Sequence, residues 1–288
     1  MWCSENWKDY QLIDASDGER LEAWGEYTLI RPDPQVIWHG ARKSRLWQRA
    51  DASYRRSHSG GGAWSENHLP EKWTIGYRNL KFAVKPMGFK HTGLFPEQAT
   101  NWDWFSELIR TAGRPVRVLN LFAYTGGATV AAGAAGAAVC HVDAAKGMVA
   151  AAKENAALSG LADAPIRYIV DDCRKFIERE IRRGNRYDGI IMDPPSYGRG
   201  PTGEIWKLED CIDDFVALSA RVLSENPLFF LLNSYTTGLS ASAMRYVTEL
   251  RIARPFGGVT EADEIGLPVK ENGLCLPSGS SVRCTFGH

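Results

Sequence analysis

The chain of 288 residues has no excess charge of either sign, with 34 Lys and Arg against 34 Asp and Glu. It therefore lacks the whole-molecule field that draws strongly basic proteins to nucleic acid, and only local patches could do so. No apolar run approaches the ~20 residues of a membrane-spanning helix. The start, Met1-Trp-Cys-Ser-Glu-Asn-Trp-Lys-Asp9, has no basic residues leading into an apolar stretch, so no secretory signal is expected. The six cysteines, Cys3, Cys140, Cys173, Cys211, Cys275 and Cys284, form no CxxC pair. Neither a zinc site nor a disulfide framework is expected, and reduced thiols in a cytoplasmic protein are the simpler account. No other metal site is expected. The G-x-G-x-x-G fingerprint of dinucleotide binding is also missing, which disfavours an oxidoreductase.

Residues 1–85 contain short, roughly alternating runs, such as Tyr10-Gln-Leu-Ile-Asp14 and Tyr27-Thr-Leu-Ile-Arg31, punctuated by Asp17-Gly18 and Pro32-Asp-Pro34. This texture predicts a small N-terminal β module. Ser57 to Ala63 reads as a loop, and Trp73 to Lys85 as a further hairpin. Beyond residue 96 the texture alternates between strand and helix. Strands are expected at 117–122, 138–142, 166–170, 189–192 and 228–233. Helices are expected at 101–112, 127–137, 144–159, 173–183, 207–223 and 240–253, with a closing hairpin from Gly257 to Phe286. Such alternation predicts an α/β fold over 86–288: a doubly wound, mostly parallel, Rossmann-like sheet.

In such a sheet ligands bind at the carboxyl ends of the strands. The first strand ends in Phe122-Ala-Tyr-Thr-Gly-Gly127, a turn that lets a ligand approach the backbone. The second ends in Asp143, placed like the acidic residue that accepts hydrogen bonds from ribose hydroxyls. Asp171-Asp172 follows the third strand and can meet the amino edge of an adenine. No Lys or Arg clusters at the first turn to neutralise a pyrophosphate, so an adenosine without phosphates is the expected ligand.

Val118–Gly127, Val142-Asp143 with Ala150–Asn155, Asp171-Asp172 and Asp193-Pro-Pro-Ser-Tyr197 together resemble a class I S-adenosylmethionine-dependent methyltransferase. The chain is similar, more narrowly, to the large-subunit ribosomal RNA methyltransferases that modify cytosine at C5, and His91–Gln98 resembles the segment leading into their catalytic domain. The resemblance implies S-adenosyl-L-methionine as cofactor, Asp143 on its ribose and Asp172, beside Asp171, on its adenine. It places Phe122, Ala123, Tyr124, Thr125 and Gly126 around the methionine end, with help from Gln98 and Asp193.

Asp193, Pro194 and Tyr197 are the expected catalytic residues. The prolines fix an extended turn. A carboxylate and a backbone carbonyl can accept from an exocyclic amino group, and Tyr197 offers a stacking face to a base taken out of its stack. Transfer to C5 of cytosine needs a thiolate that adds at C6. The segment where the resembling family carries it, Leu232-Asn-Ser-Tyr-Thr-Thr-Gly238, has Ser234 and no cysteine. Cys173 follows the third strand and reads as a buried residue. Transfer to a nitrogen is therefore a rival chemistry. Three readings stay open: a methyltransferase acting on a base in RNA, ribosomal RNA favoured; one acting on a small molecule or protein; and an inactive cofactor- or RNA-binding protein. Arg42, Lys43, Arg45, Arg49, Arg55 and Arg56, interleaved with Trp38, Trp47 and Tyr54, suit single-stranded nucleic acid. The same pattern fits a solvated face whose long stems cover tryptophans.

Overall fold

The computed structural model describes residues 1–57, 61–65, 69–88, 90–199 and 205–287. Part of the loop expected over Ser57–Ala63 lies outside the described residues. The chain forms two compact units: Met1–Thr100 with Ile265–Ser278, and Asn101–Glu264 with Gly279–His288.

The smaller unit begins with β1 (Trp2–Cys3), β2 (Tyr10–Ser16), β3 (Glu19–Trp24), β4 (Tyr27–Pro32), β5 (Ala52–Arg56) and β6 (Gly62–Trp64). The strands β2 to β6 form one sheet in chain order. Asp17 and Gly18, both at positive φ (54° and 78°), make the tight turn that pairs Ser16 with Glu19; an Asp-Gly pair suits the left-handed geometry of such hairpins. A second hairpin joins β7 (Trp73–Tyr77) to β8 (Leu80–Val84). On one face of the larger sheet Ile13, Leu21, Ile30 and Trp47 pack together. The other face buries an ion cluster. The Glu22 carboxylate accepts from Tyr10 Oη at 2.8 Å and from Arg31 Nε at 2.6 Å, with Arg20 Nε at 3.3 Å. Burial alone would raise the Glu22 carboxyl, but Arg20 and Arg31 outweigh it and hold it at about 2.

The larger unit follows the predicted alternation. Its elements are α1 (Ala99–Thr111, which begins two residues earlier), β9 (Arg117–Leu121), α2 (Gly127–Ala134), β10 (Ala138–Asp143), α3 (Lys146–Leu158), β11 (Ile166–Val170), α4 (Cys173–Arg183) and β12 (Gly189–Met192). Then come β13 (Tyr197–Arg199), β14 (Ile205–Lys207), α5 (Leu208–Ala220), β15 (Phe229–Ser234), α6 (Ala241–Thr248), α7 (Arg254–Phe256), β16 (Gly258–Pro268) and β17 (Cys275–Phe286), of which residues 265–268 and 275–278 belong to the smaller unit. The parallel strands lie in the order β15-β12-β9-β10-β11, with β17 antiparallel to β15. The chain thus winds outward from β9 through β10 and β11, then returns to its other side with β12. The switch point between β9 and β12 is where an open α/β sheet forms its ligand crevice. The runs read as buried strands are buried: Gly189–Met192 and Phe229–Ser234 are covered along their whole length. On one face of the sheet the register partners Leu121, Val142, Met192, Leu232 and Val282 pack with Phe176 of α4 and Phe215 of α5 in one cluster.

One expectation is overturned. Cys3 and Cys275 are joined in a disulfide with Cα atoms 6.4 Å apart. In the smaller unit β1 pairs in parallel with the Ile265–Gly266 stretch of β16, which brings the N-terminal cysteine beside the closing hairpin. Spacing could not reveal a pair 272 residues apart. The other four cysteines are free thiols. The cytoplasmic expectation leaned on six reduced thiols and loses that support. Among the described residues, no helix is long and apolar enough to cross a membrane.

Candidate functional site

The turn after β9 has an alternating left-handed backbone: Phe122 at φ 53°, Tyr124 at 51° and Gly126 at 81°. Two non-glycine residues in that region within three positions mark strain that the surroundings must hold in place. Three contacts do so. The Tyr124 amide donates to Asp143 Oδ2 at 2.8 Å. Asn155 Nδ2, buried on α3, donates to the Thr125 carbonyl at 2.8 Å. The Gly126 amide donates to the Ala123 carbonyl at 3.0 Å. A Cβ at Gly126 would lie 2.7 Å from Ala152 Cβ, so α3 approaches the turn as closely as a bare backbone allows.

Below the turn runs a buried polar row. Asn120 Nδ2 donates to Thr129 Oγ1 at 2.9 Å, and Thr129 Oγ1 meets His141 Nδ1 at 2.9 Å. Burial lowers the His141 pKa to about 4, so the ring is neutral at neutral pH. The row supports the turn without adding charge to it.

Asp143 ends β10, half-buried. Its second oxygen, Oδ1, accepts from the Ala145 amide at 2.8 Å. Both oxygens are thus fixed by backbone N–H groups, and each keeps a lone pair for a ligand. Asp172 is exposed and caps α4, its Oδ1 accepting from the Lys175 amide at 2.9 Å. Asp171, beside it, forms an ion pair with Arg179. Ala123 and Thr125 are buried, and Phe122 and Tyr124 half-buried. Gln98 lies buried in the 3-10 turn Pro96–Gln98 of the smaller unit.

On the other side of the switch point Asp193 is half-buried, Pro194 buried and Pro195 exposed. Tyr197 is 55% exposed. The hairpin of β13 and β14 folds back on this segment. Trp206 Nε1 donates to the Pro195 carbonyl at 2.6 Å, and the Leu208 amide to the Ser196 carbonyl at 3.0 Å. Among the described residues no donor reaches the Pro194 carbonyl, the acceptor left available at this turn. The Trp206 ring packs with Phe122 and Phe215 at centroid distances of 5.7 and 5.6 Å. One aromatic cluster therefore touches the strained turn and the Asp-Pro-Pro turn together.

Ser234 is 2% exposed, and its hydroxyl accepts from the Thr236 amide at 3.2 Å. Thr236 Oγ1 in turn donates to Glu209 Oε1 at 3.2 Å. Burial pushes the Cys173 thiol far up, and Cys173 Sγ accepts from the Phe122 amide at 3.3 Å. Neither residue offers a nucleophile.

The arrangement brings Phe122–Gly126, Asp143, Asp171, Asp172, Asp193, Pro194 and Tyr197 to one end of one sheet. Sequence reading included Asn155 only within Ala150–Asn155, without a role, and missed Trp206 and Glu209. Asn155 carried a signal: it shares its helix face with Val149 and Ala152, where a polar side chain needs a buried partner. Trp206 and Glu209 carried none, because the partner of each is set by a loop. The basic stretch also differs from expectation. Trp47 and Tyr54 are 9% and 3% exposed, so neither can stack on a base. Arg42 is held by Glu19 and Asp17 and lies over the Trp47 ring at 4.2 Å.

A family model described as S-adenosylmethionine-dependent methyltransferase matches residues 32–206. The crystal structure of the SAM-dependent methyltransferase from Agrobacterium tumefaciens is 38% identical, with a TM-score of 0.92, and the match covers 99% of this chain and 93% of that one. The ribosomal RNA large subunit methyltransferase K/L of Shewanella baltica is 31% identical over 194 residues, 66% of this chain. The chain spans 25% of that relative's length.

Proposed function

The chain belongs to the S-adenosylmethionine-dependent methyltransferases, and on that premise we propose that it methylates a base in RNA, at a nitrogen, with ribosomal RNA the favoured substrate. The cofactor, when bound, supplies an electrophilic methyl group. The residues at the first turn fit it: a left-handed backbone free of a Cβ at Gly126, a carboxylate fixed at the end of β10, and no cationic cluster asking for phosphate. In this reading Asp143 accepts from the ribose hydroxyls. Asp172 accepts from the adenine amino group with the oxygen not used for capping, and Asp171, tied to Arg179, shapes that edge. Phe122 to Gly126 line the methionine end.

Asp193 and the Pro194 carbonyl hold the amino edge of the acceptor base, and Tyr197 stacks on it. The observation that carries the nitrogen assignment is Ser234, a buried hydroxyl committed to the Thr236 amide where C5 chemistry would need a thiolate. The ribosomal choice rests on the relative from Shewanella baltica, named for ribosomal RNA.

Two experiments test the proposal. Nucleosides of total RNA from cells with and without the gene are compared by mass spectrometry; loss of one N-methylated base is expected, and an unchanged profile favours a small-molecule or protein substrate. RNA containing 5-fluorocytidine is then incubated with enzyme and cofactor and run on a denaturing gel. No trapped complex is expected. A complex that disappears in Cys173→Ala would overturn the nitrogen assignment.

A further inference from the structure

Six basic residues lie between 42 and 56, and the structure sorts them. Arg42 is spent on Asp17, Glu19 and the Trp47 ring. The rest divide by strand register. Leu21 pairs with Ile30, and Ile30 with Ser53, so the three share one face of the sheet. That face carries the 3-10 turn Arg45–Gln48, anchored by Trp47 against Leu21 and Ile30. Side chains alternate along a strand, so Arg55, two residues beyond Ser53, points to this same face and Arg56 to the opposite one. That opposite face is the one with Arg31, whose Nη1 donates to the Lys90 carbonyl at 3.0 Å.

Arg45 in the turn and Arg55 are thus on one side of the sheet, Lys43 and Arg49 flank the turn in the chain, and all four are exposed. Among the described residues their charged ends meet no acid. The acids around them are engaged elsewhere: Asp14 with Trp47 Nε1, Asp17 with His39, Glu19 with Arg42, and Asp51 with the Thr28 amide and hydroxyl. Asp14 and Asp51 keep their charge but form no ion pair with these four, and a surface on which unpaired cations outnumber the acids suits a polyanion.

We propose that Lys43, Arg45, Arg49 and Arg55 form a docking surface for the phosphate backbone of helical RNA. The inference rests on the reading of RNA as substrate. Helical rather than single-stranded RNA follows from burial: Trp47 and Tyr54, which would have stacked on unpaired bases, are core residues, and Trp38, 39% exposed, has its Nε1 tied to the Ala15 carbonyl, so at most one ring is left to stack beside four cations. Helical RNA is held mainly by shape and by contacts to phosphate and 2′-hydroxyl, whereas single strands are read by stacking.

The test is fluorescence anisotropy with a labelled RNA duplex of about 16 base pairs and the corresponding single strand, over a salt series. Wild type is expected to bind the duplex more tightly. Combined Lys43→Ala, Arg45→Ala, Arg49→Ala and Arg55→Ala should weaken duplex binding roughly tenfold or more and make its log–log salt slope shallower by roughly 3, at a little under one unit per phosphate contact. Calorimetric S-adenosylmethionine binding should stay at the wild-type value in the variant, which reports an intact fold, and Arg56→Ala should leave duplex affinity unchanged. An unchanged affinity and slope in the quadruple variant overturn the surface and leave RNA as substrate standing. A wild type preferring the single strand overturns the helical assignment. A wild type that binds cofactor but neither RNA overturns both this surface and the RNA reading.

Discussion

Tyr124 and Asp143 are joined across two neighbouring strands by a 2.8 Å hydrogen bond from the Tyr124 amide to Asp143 Oδ2. Tyr124 stands at φ 51°, a conformation its side chain disfavours. The carboxylate proposed to take the ribose therefore also clamps the turn proposed to take the methionine end. Neither half of the site is independent of the other.

Asp143→Ala should accordingly lose more than a ribose contact. It removes a charged acceptor from two backbone amides as well as from the ligand. A loss in S-adenosylmethionine affinity of about 2–4 kcal/mol is expected, since a hydrogen bond to a charged group contributes about 1.5–3. Asp143→Asn, which keeps one carbonyl acceptor, should fall between. Calorimetric titration of the three proteins checks the order, and a wild-type affinity in Asp143→Ala refutes the assignment.

Gly126→Ala tests the close approach of α3 to the turn. The added carbon would stand 2.7 Å from Ala152 Cβ and 3.1 Å from Ala152 Cα, at φ 81°. The contact on Cα is with backbone and cannot be relieved by a rotamer change. A destabilisation of about 1–3 kcal/mol is expected from overpacking, with added cost from the left-handed backbone. Urea unfolding followed by circular dichroism measures it; an equally stable variant shows that the turn is looser than its geometry implies.

Glu22→Gln should destabilise the smaller unit by about 3–5 kcal/mol at pH 7, because it leaves Arg31 buried without its counter-charge and Arg20 with Asp33 alone. The pH dependence has a definite sign. The folded-state carboxyl is held at about 2, below the ordinary 4.5, so its stabilisation is complete above 4.5 and lost as pH falls toward 2. The stability gap between wild type and variant should therefore narrow in acid. Denaturant midpoints at pH 7 and pH 3 decide it, and a gap that is constant or widens at pH 3 counts against the ion cluster.

Trp206→Phe keeps a ring against Phe122 and Phe215 and removes the 2.6 Å donor to the Pro195 carbonyl. Loss of one neutral hydrogen bond, about 1 kcal/mol, predicts roughly a fivefold lower kcat for methyl transfer with cofactor affinity unchanged. Tyr197→Ala should instead act on the acceptor, costing about 1–3 kcal/mol of base stacking. Single-turnover transfer of labelled methyl to RNA, with calorimetry for the cofactor, separates the two. A fall in cofactor affinity in either variant would contradict this division of roles.

Much of this site was legible in the sequence because local physics writes it there. An apolar run covered on both faces, such as Gly189–Met192, can be only a buried segment, and a strand must stop at Asp193-Pro-Pro195. Asp143, Asp172 and Asp193 could be placed at strand ends because helix and strand periods alternate regularly between residues 117 and 192. What the sequence could not decide depends on contacts between distant segments. The Cys3–Cys275 bond follows from β1 pairing with β16. The burial of Trp47 and Tyr54, the sorting of Arg55 from Arg56, and the grip of Trp206 on Pro195 each depend on which surface comes to lie opposite. Periodicity tells a side chain that it must face something apolar; only tertiary packing determines what that is, because pairing energy depends on proximity in space and leaves no mark in local order.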